Sequence, residues 1–175
     1  RTFDNGVVLI ERCDFRGGKN EGIIQVAVNG AMNNLTLTIN NCIFSANSGG
    51  SGTFLLGSLA TNCTVALNYC VFFQNWRHMR MDGSGNAINS TNCCFFQHTS
   101  AITAGAGGTF TFTNCAANLV LAGIGNVLTD AVAAFLAKYK SPKAATENPL
   151  DYRPIEDSAS SLFNAGTPVS GVTED

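Results

Sequence analysis

The stretch LTLTINNCIF, at 35–44, decides the fold. Leu35, Leu37 and Ile39 alternate with Thr36 and Thr38, the period of two that marks a half-buried strand. A bend at Asn41 follows, then Cys42, and two places later Phe44. The same order returns as VLIERCDF at 8–15, VALNYCVF at 65–72, AINSTNCCFF at 87–96 and FTFTNCAA at 110–117. The cysteines concerned are Cys13, Cys42, Cys70, Cys93 (or its neighbour Cys94) and Cys115, spaced by 29, 28, 23 and 22 residues. A period in that range marks a solenoid. Its repeat unit cannot close a core alone, so neighbouring units must stack.

Further strand-like runs lie between the cysteine segments, at 23–28, 53–59, 79–82 and 101–104. Each unit therefore reads as strand, turn, strand, Asn-containing bend and short third strand. Asn41, Asn92 and Asn114 stand directly before their cysteines, with Arg12 and Tyr69 in the other copies. Stacked asparagines at this bend are expected to bond up and down the stack. Phe15, Phe44, Phe72 and Phe95 or Phe96 are expected to form an aromatic column that stops near Ala117. The pattern predicts an all-β chain, a right-handed parallel β-helix of about five coils. At ~4.8 Å per coil it would be a rod roughly 24 Å long. The leucine consensus of a leucine-rich repeat is missing.

Apolar residues make up 45% of the 175, while charged residues reach 13%, about half the usual ~25%. Asn, Thr, Ser and Gly fill the difference and suit short strands joined by tight turns. A net charge of −2 with no run of Lys or Arg argues against a nucleic-acid partner. No stretch approaches the roughly 18 apolar residues of a membrane span, so no transmembrane segment is expected. The chain opens on Arg1 rather than Met and is read as trimmed. Seven cysteines without a C-x-x-C pair, and two histidines, give no zinc pattern, so neither metal nor cofactor is expected. Five cysteines at one repeat position point to a column of small buried thiols. Disulfides between adjacent coils are the alternative, with Cys63 and the spare member of the Cys93/Cys94 pair as exceptions to the column.

The domain reading is 1–123 for the β-helix coils, 124–140 for an amphipathic capping helix, and 141–175 for an extended tail packed on the solenoid. Leu128, Val132, Phe135, Leu136 and Tyr139 recur at helical spacing, Asn126 or Thr129 can cap, and Pro142 stops the run. Such a helix would hide the apolar end of the last coil; projection outward to a partner is the alternative.

The tail carries Asn148-Pro149-Leu150-Asp151-Tyr152-Arg153-Pro154 and then Ser158-Ala159-Ser160-Ser161-Leu162-Phe163-Asn164-Ala165-Gly166-Thr167. It resembles the D-Y/F-R-L…S-P-A-I-D-A-G-T ending of secreted bacterial proteins of the pectin-lyase-like β-helix class. Asp151-Tyr152-Arg153 and Ala165-Gly166-Thr167 match, and Leu162-Phe163-Asn164 replaces the usual apolar-Ile-Asp. A D-x-x-G-x-P-R…D-I-G-A-Y-E stretch commonly follows in that class, whereas this chain stops at Thr173-Glu174-Asp175. The N-C-x-F coils are similar to those of bacterial surface and autotransported β-helix proteins. The resemblance implies the C-terminal part of a larger β-helix, secreted or at the bacterial cell surface. It implies no single activity, because relatives include lyases, hydrolases and adhesins.

Hydrolysis on this fold needs two carboxylates at a set separation, and a lyase needs a base with a group that neutralises the uronate. Here Asp4, Glu11, Asp14 and Glu21 lie early and Asp82 stands alone mid-chain, with no D-D or D-x-D pair. No catalytic residue is assigned. One patch concentrates mixed chemistry: Trp76, Arg77, His78, Arg80 and Asp82, with His98 following a similar Phe-Phe-Gln stretch one coil later. Met79 and Met81 should face inward, Arg80 and Asp82 outward. An aromatic platform beside charged groups suits a sugar chain; a solvated loop with an Arg80–Asp82 pair is the plainer reading. The sequons at Asn34, Asn62 and Asn89 carry no weight in an Asn/Thr-rich chain, and the Gly-rich stretches at 49–52 and 105–108 read as turns.

The expectation is a non-catalytic scaffold, adhesion or glycan-contacting segment of a larger secreted or surface bacterial protein. Its partners would be a polysaccharide or cell-surface glycan and the remainder of the parent chain. The alternatives are the C-terminal part of a polysaccharide lyase or glycoside hydrolase, and a fibre-forming subunit.

Overall fold

The computed structural model describes residues 3–19, 22–48, 50–96, 100, 102–104, 107–117, 123–124 and 127–128. Nineteen short strands lie among them, numbered in chain order, and their pairings are parallel. The first sheet holds the two-residue strands β1 (Phe3–Asp4), β5 (Met32–Asn33) and β9 (Ala60–Thr61). The second holds β2 (Val7–Glu11), β6 (Thr36–Asn40), β10 (Thr64–Asn68), β13 (Ala87–Thr91), β16 (Thr109–Thr113) and β18 (Gly123–Ile124). The third holds β3 (Asp14–Arg16), β7 (Ile43–Ser45), β11 (Val71–Phe73), β14 (Cys94–Phe96), β17 (Ala116–Ala117) and β19 (Val127–Leu128). The fourth holds β4 (Ile24–Val26), β8 (Phe54–Leu56), β12 (Met79–Met81) and β15 (Thr103–Ala104).

Register follows the cysteine spacing. Val7 pairs with Thr36, Thr36 with Thr64, Thr64 with Ala87, and Ala87 with Thr109. The chain is thus all-β with parallel strands stacked in sheets, compatible with a parallel β-helix, and no helix occurs among the described residues. The next step is shorter, since Phe112 pairs with Gly123 and Ala116 with Val127. Ile124, Val127 and Leu128 are strand residues; the rest of the expected helix over 124–140, and the tail at 141–175, lie outside the described residues.

The bends are built on left-handed backbone. The residue before each column cysteine has positive φ: Arg12 at 52°, Asn41 at 52°, Tyr69 at 54°, Asn92 at 55° and Asn114 at 51°. A second such column runs through Asn5, Asn34, Asn62, Gly85 and Gly107. Asparagine and glycine tolerate this region best, which explains why they recur at the bends. Each bend also continues the ladder, with the amides of Arg12, Asn41, Tyr69 and Asn92 donating to Asn40, Asn68, Thr91 and Thr113 carbonyls at 3.0–3.1 Å.

Side-chain ladders run through asparagines beside the cysteine bends and beyond them. Asn68 Nδ2 donates to Asn40 Oδ1 at 2.9 Å, and Asn40 Nδ2 to Glu11 Oε1 at 2.7 Å. A buried ladder pairs Asn47 with Asn75: Asn75 Oδ1 accepts from Asn47 Nδ2 at 2.9 Å and from the Asn47 amide at 3.1 Å. Asn75 Nδ2 donates to the Phe44 carbonyl at 2.9 Å. These contacts satisfy polar groups that burial would otherwise penalise.

Inside, Phe15, Phe44, Phe72 and Phe95 stack at centroid distances of 5.0, 4.7 and 5.1 Å with interplanar angles of 10°, 11° and 20°. Ala117 takes the next place in register, and Phe112 closes the column edge-on to Phe95 at 5.6 Å. Phe95 and Cys93 are the inward members of their pairs. Cys94 and Phe96 lie on the opposite face of the third sheet, where buried Phe73, Phe96 and Ala116 form a second apolar cluster.

Candidate functional site

Trp76 to Asp82 runs into and along β12, and Met79 and Met81 anchor it by facing the core, fully buried. On either side β12 pairs with β8 and β15, so Gln25, Leu55, Arg80 and Thr103 form one outward column. Alternation places Arg80 and Asp82 outward, where Arg80 Nε donates to Asp82 Oδ1 at 2.8 Å. This pair is partly solvated and adds little to stability; its effect is to hold the guanidinium along the strand. Trp76 keeps 45% of its surface exposed. Its backbone is held on both sides, the amide donating to the Asn47 carbonyl and its carbonyl accepting from the Ser100 amide, each at 2.7 Å. Arg77 forms an isolated parallel bridge with Ser100 and donates to Ser100 Oγ through Nε at 3.2 Å and Nη2 at 2.8 Å.

His78 is elsewhere. It is fully buried, with its ring edge against Phe72 at 5.8 Å and tilted against Phe95 at 6.0 Å. Asn75 Nδ2 lies 3.2 Å from His78 Nδ1. The amide can only donate, so Nδ1 is the acceptor and the imidazole is neutral there. Trp76, Arg77, Arg80 and Asp82 thus share one partly exposed stretch, His78 belongs to the core, and His98 lies outside the described residues. His78 precedes the strand, so alternation does not assign its side; Asn75 three places earlier, repeating Asn47 at a spacing of 28 residues, is the feature that marks this corner as buried.

The thiol column is the other concentration of reactive groups. All seven cysteines are free, so the disulfide alternative is not realised. Each column thiol lies 3.2–3.4 Å from the carbonyl two residues before it. Cys70, Cys93 and Cys115 also reach the carbonyls of Ile39, Leu67 and Ser90, on the neighbouring strands β6, β10 and β13, at 3.3–3.4 Å. Contact with the Cys70 thiol, then burial, pushes Cys42 up, and burial, then the Cys115 and Cys70 thiols, pushes Cys93 up. For Cys70 burial raises, but hydrogen bonds from the Cys42 and Cys93 thiols outweigh it and the group moves down. Cys115 moves down because the Cys93 thiol donates to it against the cost of burial. The column is buried packing that bonds to backbone. Among the described residues no three His, Cys, Asp or Glu side chains are placed to hold a metal, and no helix is long and apolar enough to cross a membrane.

Comparison with protein-family models, with curated proteins and with solved structures gives no match for this chain. What the patch can do therefore rests on its own chemistry: a half-exposed indole for a CH face, guanidinium donors of Arg77 and Arg80, and a carboxylate acceptor at Asp82.

Proposed function

We propose that the chain is a scaffold and glycan-contacting adhesion segment of a larger secreted or surface bacterial protein. In this reading it is a right-handed parallel β-helix of about five coils, of the pectin-lyase-like type, with a polysaccharide or cell-surface glycan laid across Trp76, Arg77, Arg80 and Asp82. The observation that carries it is the half-exposed Trp76 ring, beside charged groups on a strand that Met79 and Met81 anchor. Ser100 holds Arg77 and Asp82 holds Arg80, so binding spends little free energy on ordering these two side chains. The test is affinity electrophoresis through gels holding neutral and acidic polysaccharides. At least one should retard the chain, and Trp76→Ala and Arg80→Ala should each abolish the retardation. Retention of binding by both variants, or no retardation by any polysaccharide, removes the reading.

A second observation supports placement against a further coil. Inward Val8 is 43% exposed, while its register partners Leu37 and Val65 are buried. Ile10, Cys13 and Phe15 are likewise only partly covered. An added coil in parallel register, from the remainder of the parent chain, would cover them.

A further inference from the structure

The second sheet has an outer face that neither the core nor the Trp76 patch uses. Two of its three outward columns in register are Val7–Thr36–Thr64–Ala87–Thr109 and Leu9–Thr38–Ala66–Asn89–Thr111, and the third, Glu11–Asn40–Asn68–Thr91–Thr113, forms one border. Val7 is 82% and Leu9 59% exposed. Thr36, Thr64, Asn89, Thr109 and Thr111 are exposed, and Thr38, Ala66 and Ala87 are half-buried. None of the ten is ionisable or aromatic, and none is larger than leucine. The repeat shortens from 29 to 22 residues along these coils, yet each of the five strands keeps five residues paired without a bulge. Variation in coil length is absorbed outside this sheet. The result is a two-dimensional array, spaced ~4.8 Å across strands and ~6.7 Å along them. The Glu11–Asn40–Asn68 ladder stiffens one border.

A site for a single small ligand requires a concavity with convergent polar groups, whereas these ten side chains stand in parallel rows on the outer face of a sheet. Their many weak, evenly spaced contacts add together only against something that repeats as well. An ionic solid calls for charged side chains, and a crystalline polysaccharide surface for aromatic platforms; these ten positions offer neither. Ice presents neutral groups that both donate and accept hydrogen bonds. Threonine hydroxyls and the Asn89 amide do both, while the methyl groups of Val, Leu, Thr and Ala favour ordered water at their surface. We propose that the outer face of the second sheet is an ice-binding surface.

The experiment is the partition of the purified chain between slowly grown ice and the remaining liquid, with a globular protein of similar size as the reference. The chain should concentrate in the ice. Ala66→Arg, at the centre of the array, should lower that uptake by about tenfold or more with an unchanged circular dichroism spectrum and melting temperature. Thr38→Lys serves as a second variant should the first not fold. Trp76→Ala should leave ice uptake unchanged, which separates this proposal from the glycan reading. Exclusion of the parent chain from ice to the extent of the reference overturns the proposal. So does full uptake by a folded Ala66→Arg or Thr38→Lys variant, or binding to crystalline cellulose or chitin through this face without uptake into ice.

Discussion

Replacing Phe72 by alanine removes an inner ring of the aromatic column and tests whether stacking between paired strands carries the fold. Phe72 is fully buried between Phe44 at 4.7 Å and Phe95 at 5.1 Å, with the edge of His78 at 5.8 Å. A buried Phe→Ala change costs ~3–5 kcal/mol. The rings above and below are held by paired strands, so the gap cannot collapse and the upper end, about 5 kcal/mol, is expected. Phe15 has one stacked neighbour at 5.0 Å and is only partly buried. Its truncation forfeits roughly half of a side-chain transfer energy of ~1.5–3 kcal/mol and one ring pair worth ~0.5–1.5 kcal/mol, or about 2 kcal/mol. Urea unfolding followed by the fluorescence of the single tryptophan measures both. Phe72→Leu replaces Phe72→Ala if the latter does not fold, with a smaller loss that still exceeds that of Phe15→Leu. Costs for the two positions within about 1 kcal/mol of each other, or a larger cost at Phe15, would refute a continuous column with an open end.

Three further outcomes follow from the same contacts. Asn75→Ala should destabilise by roughly 3 kcal/mol in urea unfolding, because it strands the buried Asn47 amide and Phe44 carbonyl together; a cost below about 1 kcal/mol would mean that the ladder is incidental. Tyr69→Asn should raise the urea midpoint by an amount worth about 1 kcal/mol, since a tyrosine at φ 54° gives way to a residue that tolerates the left-handed region; no gain would show that contacts of the Tyr69 ring offset the backbone strain. Stability should also depend on alkaline pH. Cys42 and Cys93 hold their protons in the folded chain above about pH 9, the ordinary thiol value, where the unfolded chain has released them. Stability then falls with rising pH, by at most ~1.4 kcal/mol per unit for each thiol. Cys70 and Cys115, held low, act in the opposite sense below about pH 9. Urea midpoints should therefore peak near that pH, and the Cys42→Ala/Cys93→Ala variant should lose the alkaline decline.

The stacking register was legible because Cys13, Cys42, Cys70, Cys93 and Cys115 each sit just past a five-residue strand, so their spacing is the pairing offset. Alternation in LTLTI and FTFT likewise revealed which side chains face the core. The first sheet was not legible, since strands of two residues, such as Ala60–Thr61, have no periodicity to show. The bend asparagines were visible, but not the positive φ that Asn41 and Asn114 adopt, nor the side-chain ladders through Asn40, Asn68, Asn47 and Asn75. His78 was misplaced on the outer patch for a related reason. Alternation is broken between Trp76 and Met79, where His78 and Met79 are both buried, so parity counted along the strand does not reach it.

The two outer surfaces differ in a way that the inner columns explain. Register is set inside, by the thiols, the phenyl rings and the apolar residues of the second sheet. Outward positions of that sheet are consequently less constrained by pairing, and a charged residue, Glu11, already stands at one of them. Ten adjacent positions nonetheless carry only Val, Leu, Thr, Ala and Asn, whereas the stretch ahead of β12 gathers Trp76, Arg77, Arg80 and Asp82. A face that needs only solubility has no reason to keep these ten positions uncharged across five paired strands whose spacing changes. Its composition is better explained by what it contacts than by what lies beneath it, and the Ala66→Arg and Trp76→Ala variants separate the two surfaces because neither side chain takes part in the core.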